Sequence, residues 1–188
     1  MKRVGTFALS AVGLVLVGVI ANNVFADVDA AEAKGVWKSM EAGKLTLASA
    51  IATAEAHSKG KALAAGASWD DDKLGFDVHL AVADKTVDVT VDGTGRATKM
   101  EDCKAGKESV QKDTAKSMEA AKQTLATAIT AAEAHAKGKA LTAMATMDGA
   151  KLGFSVTCLV GDKLQEVAVD NAGKALGMKE VKELPDVK

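Results

Sequence analysis

From Leu47 onward the apolar positions fall at Leu47, Ala50, Ile51 and Ala54, with Ser58 closing the series. Steps of three and four residues lay these side chains on one face of a helix. Thr46 precedes them, a hydroxyl suited to accept from the first-turn backbone, and Gly60 follows as a stop signal. Past Gly60 the period changes. "KALAAGASW" is a short apolar run and "DDDK" a turn. "LGFDVHLAV" then alternates, with Phe76, Val78, Leu80 and Val82 on one side and Asp77, His79 and Ala81 on the other. "ADK" turns the chain, "TVDVTVD" points Val87, Val89 and Val91 inward, and "GTG" leads into "RATKME". A helix followed by an antiparallel meander is an α+β unit, in which the helix covers the apolar side of the sheet.

The pattern is written twice. "AEAHSKGKAL" at 54–63 returns as "AEAHAKGKAL" at 132–141, a shift of 78 residues. At that shift residues 40–102 align on 118–180 without a gap, and more than half of the positions are identical. The second helix stripe is Leu125, Ala128, Ile129, Ala132 and Ala136, behind Thr124. The expectation is two tandem units, 34–102 and 112–180, each one helix packed on a three- to four-stranded antiparallel sheet. "CKAGKESVQ", 103–111, is the polar linker and 181–188 a tail. Open sheet edges pair readily, which calls for a sheet continuous across the units or for a homodimer.

The repeated decapeptide raises a chemical question, since it carries Glu55 with His57 and Glu133 with His135. At about 100° per residue, residues two apart lie about 160° apart around the axis. Neither pair can share a proton or a metal within one helix. The decapeptide reads instead as a helix ending. His57 and His135 place donors beside the last carbonyls, and Gly60 and Gly138 take the left-handed conformation. Thr46, His57, Gly60, Thr124, His135 and Gly138 are therefore assigned as structural caps.

The amino terminus has its own logic. Met1-Lys2-Arg3 is cationic, Phe7 to Ile20 is apolar, and Val24-Phe25-Ala26 has a small-x-Ala character. This is the layout of a signal peptide, residues 1–26, cleaved after Ala26. The apolar run is shorter than the roughly 20 residues of a bilayer span. A periplasmic or secreted protein is expected, with no membrane attachment after cleavage. The chain carries 24 basic and 25 acidic residues, and 3% of its residues are aromatic. There is no basic face for phosphates and little stacking surface for bases, so nucleic acid is excluded as a partner. No Gly-x-Ser-x-Gly, His-Glu-x-x-His or Cys-x-x-Cys-His occurs, and the Gly-rich turns 93–95 and 171–173 open no helix. No catalytic residue, metal ligand set or cofactor is assigned, and the protein is read as a non-enzyme. Cys103 and Cys158 are a disulfide candidate in an oxidising compartment. Cys158, however, stands where the first copy has Leu80, as a buried small hydrophobe would.

The stretches "TLASAI…AEAHSKGKAL…KLGFDVHL…VDVTVDGTGRA" and "TLATAI…AEAHAKGKAL…KLGFSVTC…QEVAVDNAGKA" resemble two PepSY domains. Phe76 and Phe154 stand where that family often has Tyr, and Gly95 and Gly173 lie one residue closer to the preceding Asp. The resemblance implies an extracytoplasmic, non-catalytic module that binds or restrains a peptidase or another exported protein. A tandem pair of helix-on-sheet units is also similar in architecture to the β-lactamase inhibitory protein.

Residues that the copies do not share are the binding candidates. Trp37, Trp69 and His79 stand where the second copy has Ala115, Met147 and Thr157. Hairpin register around "ADK" is expected to set Ala81 opposite Asp88, His79 opposite Thr90 and Asp77 opposite Asp92. Trp69, Asp77, His79, Asp88 and Thr90 form the candidate partner-binding face, with the acidic turn Asp70-Asp71-Asp72 beside Trp69. The alternative is a periplasmic metal- or cofactor-binding protein, with Asp77, His79 and Asp88 as a carboxylate–imidazole cation site.

Overall fold

The computed structural model describes residues 30–70, 73–103, 108–121, 123–182 and 184. The expected signal peptide, Asp71 and Asp72, residues 104–107 of the expected linker and most of the tail lie outside the described residues. Two helices come first, α1 (Ala30–Ala42) and α2 (Leu47–Ser58). Four strands follow, β1 (Lys61–Asp70), β2 (Lys73–Val82), β3 (Lys85–Asp92) and β4 (Ala97–Asp102). The order then repeats with α3 (Glu108–Ala120), α4 (Leu125–Ala136), β5 (Lys139–Asp148), β6 (Lys151–Val160), β7 (Lys163–Asp170) and β8 (Ala175–Val181).

The chain is α+β, and its strands form one antiparallel sheet in the order β4-β3-β2-β1-β5-β6-β7-β8. The two halves meet at β1 and β5, where Ala64, Ala65 and Gly66 pair with Met144, Ala143 and Thr142. α2 lies on β1, β2 and β3, α4 on β5, β6 and β7, and α2 touches α4. The stripes face the sheet as their period requires: Leu47, Ala50, Ile51, Ala54 and Ser58 are buried on α2, and Leu125, Ala128, Ile129, Ala132 and Ala136 on α4. They close over Phe76, Val78, Leu80, Val87, Val89 and Val91 and over Phe154, Val156, Cys158, Val167 and Val169.

Each half has two helices, where one was expected. α1 buries Ala33, Val36 and Met40, spaced by three and four residues, and α3 begins inside the stretch taken as linker. Both reach across the halves. α1 touches β5 and β6, with Lys34 Nζ 2.5 Å from Asp162 and the Lys139 ammonium 5.6 Å above the Trp37 ring. α3 touches β1 and β2 in return. No helix among the described residues is long and apolar enough to cross a membrane.

The helix starts are as expected: Thr46 and Ser49, like Thr124 and Thr127, exchange bonds reciprocally in capping boxes. The helix stops are not. The left-handed residues are Lys59 (φ 61°) and Lys137 (φ 54°), not Gly60 and Gly138. Those glycines are required by close approach. A Cβ on Gly60 would lie 2.6 Å from the Ala81 carbonyl oxygen, and one on Gly138 2.5 Å from that of Leu159. His57 and His135 occupy the last turns, exposed. The work that both copies of the decapeptide share falls to its Glu. Glu55 Oε1 accepts from Ala62 N and Glu133 Oε1 from Ala140 N, both at 3.0 Å. These amides sit at the bulges where Leu63 and Leu141 are the extra residues, so the carboxylates satisfy donors that the disrupted ladder leaves over.

Candidate functional site

The polar side of β2 and β3 is built by strand register. The hairpin closes with the two-residue loop Ala83-Asp84, so Val82 pairs with Lys85. Every expected pairing is thereby corrected by two residues: His79 faces Asp88, Asp77 faces Thr90 and Ala81 faces Thr86. The faces are unchanged, because a shift of two preserves side-chain alternation. β4 extends the rows, placing Glu101 beside Asp88 and Lys99 beside Thr90.

Three side chains converge. His79 Nδ1 lies 2.7 Å from Asp88 Oδ1 and 3.3 Å from Cys103 Sγ. Cys103 follows the last residue of β4, and its amide donates to the Thr86 carbonyl at 3.0 Å. The imidazole is buried, 7% exposed, whereas the Asp88 side chain is 58% exposed. His79 Nε2 is buried without a hydrogen-bond partner. The electrostatics follow this packing. Burial alone would raise the Asp88 carboxyl, but the hydrogen bond and charge of His79 outweigh it and hold the group below its ordinary value. Burial, reinforced by the Asp88 charge, pushes the Cys103 thiol up to about 12. Cys158 is also pushed up to about 12, by burial in the core and then by Glu133. Both thiols are free.

Asp77 is engaged separately. Thr90 Oγ1 donates to Asp77 Oδ1 at 3.1 Å. Burial raises the Asp77 carboxyl above its ordinary value, opposed by bonds from Ser68 and Thr90.

Of the sequence-stated candidates, then, His79 and Asp88 meet directly and Asp77 meets Thr90. Trp69 joins neither pair. It is opposite Leu74 and so shares the side of Phe76, away from the polar rows, and is 43% exposed. Cys103 was missed as a neighbour of His79, since the register of three strands brings it there. The available signal was a thiol in the first copy where the second has Val181.

The second half repeats the frame without the cluster. Thr157, Glu166 and Val181 replace His79, Asp88 and Cys103. Ser155 Oγ donates to Glu166 Oε1 at 2.9 Å, and Lys179 Nζ lies 3.0 Å from Glu166 Oε2, so that carboxylate is already satisfied. Nearby, a cleft of about 670 Å³ is lined by Ser117, Ala121, Met147, Phe154, Glu166 and Leu176. It offers apolar surface together with Lys151 and the carboxylates of Asp148, Glu166 and Asp170.

No family model matches the chain, and no curated protein matches it. Among solved structures the chain is similar to a predicted lipoprotein of Clostridium difficile 630, at 12% identity and TM-score 0.43, over 85% of this chain and 96% of that one. It is also similar to a DUF2874 family protein of Bacteroides ovatus ATCC 8483, at 13% identity and TM-score 0.29, over 74% and 90% of the two chains. A third is a BLIP-like protein of Bacteroides fragilis NCTC 9343, at 11% identity and TM-score 0.28, over 82% and 90%.

Proposed function

We propose that the protein is an exported, non-catalytic binding module that docks another exported protein and restrains it. In this reading it consists of two fused PepSY-like units, the first of which carries the recognition surface. The observation behind the reading is an asymmetry between the halves. Asp77, His79, Asp88 and Thr90 stand where the second half has Ser155, Thr157, Glu166 and Ala168. Around them β4 exposes Lys99, Glu101 and Asp102. A scaffold alone needs no such difference, and charged rows on a hydrogen-bonded sheet present fixed complementary charge to a partner.

The test uses a photocrosslinking residue at Thr90, with a control at Lys174 in the turn between β7 and β8. The protein is expressed in its own host and the exported fraction is analysed. A discrete adduct from position 90 alone, lost when Glu101→Lys and Lys99→Glu are combined, is the expected outcome. Equal adducts from both positions, or none from position 90, remove the proposal.

A further inference from the structure

We propose that His79, Asp88 and Cys103 bind one borderline divalent cation of the zinc type, through the imidazole Nδ1, a carboxylate oxygen and the thiolate. The inference does not depend on the partner-docking reading. It begins with the donor set. Nitrogen, oxygen and sulfur from these three residue types match zinc and its cobalt substitute, whereas magnesium and calcium take oxygen throughout.

Geometry narrows the case further. The three donor atoms lie within 4.8 Å of one another. Metal bonds of about 2.0–2.3 Å at tetrahedral angles separate neighbouring donors by about 3.3–3.6 Å. The nitrogen–sulfur distance, 3.3 Å, is already in that range. The nitrogen–oxygen distance, 2.7 Å, is that of a hydrogen bond and must open by about half an ångström. Asp88 has the room, because its side chain is 58% exposed. His79 and Asp88 are directly opposed on a paired ladder, and the amide of Cys103 is bonded to Thr86. The frame is therefore set before a cation arrives, and a fourth position faces solvent on the Asp88 side.

His79 supplies the independent observation. The ring is 7% exposed, and Nδ1, not the unpartnered Nε2, is the nitrogen turned into the cluster, 2.7 Å from Asp88 Oδ1 and 3.3 Å from Cys103 Sγ. An Nδ1 turned towards a carboxylate and a thiol is what a ligand requires. Asp77 is left out of the set, because its carboxylate is held by Thr90. In the second half the same positions are Thr157, Glu166 and Val181, so one cation per chain is expected and not two.

The experiment adds Co²⁺, then Zn²⁺, to full-length tag-free protein. Expected is a thiolate-to-cobalt charge-transfer band that saturates at one equivalent and is bleached by Zn²⁺. Zn²⁺ should also protect Cys103 from maleimide in native protein, while Cys158, in the core, stays unlabelled throughout. Cys103→Ser should abolish the band, and Asp88→Asn should weaken binding by about tenfold or more. Both positions are partly open to solvent, so these variants are expected to keep the parent circular dichroism spectrum and urea midpoint. Absence of the band, a band that survives Cys103→Ser, or labelling unaffected by excess Zn²⁺ would overturn the assignment.

Discussion

At the residue scale, the repeated decapeptide holds the fold through Glu55 and Glu133. Each carboxylate accepts a hydrogen bond from the amide of a strand residue that is almost fully buried, Ala62 or Ala140. Removing the acceptor leaves that amide unsatisfied, a loss of about 1–3 kcal/mol. Glu55→Ala and Glu133→Ala should each lower the unfolding free energy measured in urea by that amount, whereas exposed His57→Ala and His135→Ala should stay within about 0.5 kcal/mol of the parent. The reverse order would show that the histidines matter. Asp92 makes a second case with a pH sign. Its Oδ1 accepts from Thr94 N at 2.8 Å, Thr94 Oγ1 at 2.6 Å and Arg96 N at 3.1 Å. The bond from Thr94, then that from Arg96, lowers its carboxyl below the ordinary value. A depressed folded pKa adds stability that is present above the unfolded value and lost as pH falls through the folded one. Solvent exposure keeps the effect small. The stability gap between parent and Asp92→Ala should therefore be constant near neutral pH and shrink below about pH 4. A gap unchanged down to pH 2 contradicts this.

At the element scale, the hairpin loops differ in one informative residue. Ala83 and Gly161 occupy the first loop position with φ 53° and 60°. A left-handed backbone costs an L-residue about 1–2 kcal/mol, part of which glycine gives back through its freer unfolded chain. Ala83→Gly should thus stabilise by up to about 1 kcal/mol and Gly161→Ala destabilise by a similar amount, read as opposite shifts of the thermal midpoint. This loop also sets the register that places His79 against Asp88, so lengthening it by one residue should disturb the cluster while α2 keeps its seat. The helix ends teach a related point. Gly60→Ala should cost about 1–3 kcal/mol through collision with the Ala81 carbonyl, although Gly60 is not at positive φ.

At the scale of the whole molecule, the halves share one sheet and trade helix contacts. β1 pairs with β5, α2 touches α4, and α1 and α3 each reach the other half. Such coupling should make unfolding a single step. Trp69 reports on the first half and Trp37, beneath Lys139, on its contact with the second, while far-ultraviolet circular dichroism reports on the entire fold. The two urea transitions should superimpose. Ala65→Lys, at a position 0% exposed in the junction, should destabilise strongly and separate the transitions. Two steps in the parent would instead mean that each half folds alone. The remaining edges are β4 and β8, which expose Met100, Leu176 and Met178.

What the sequence by itself determined lies within a few residues of its cause. The stripe from Leu47 to Ser58, the alternation from Phe76 to Val82 and the caps at Thr46 and Thr124 obey local periods and local hydrogen bonds. The duplication was legible for the same reason, since equal local patterns build equal elements. Tertiary structure decided the rest. Periodicity says which face a side chain takes but not which residue lies opposite, so the place of His79 waited on the length of one loop. Whether the halves join depended on Ala64 to Gly66 finding Thr142 to Met144, a contact with no local signature. Gly60 carries no sign in the sequence of the carbonyl it must clear. Cys103 lies 24 residues from His79, and only three strands in register bring thiol, carboxylate and imidazole together.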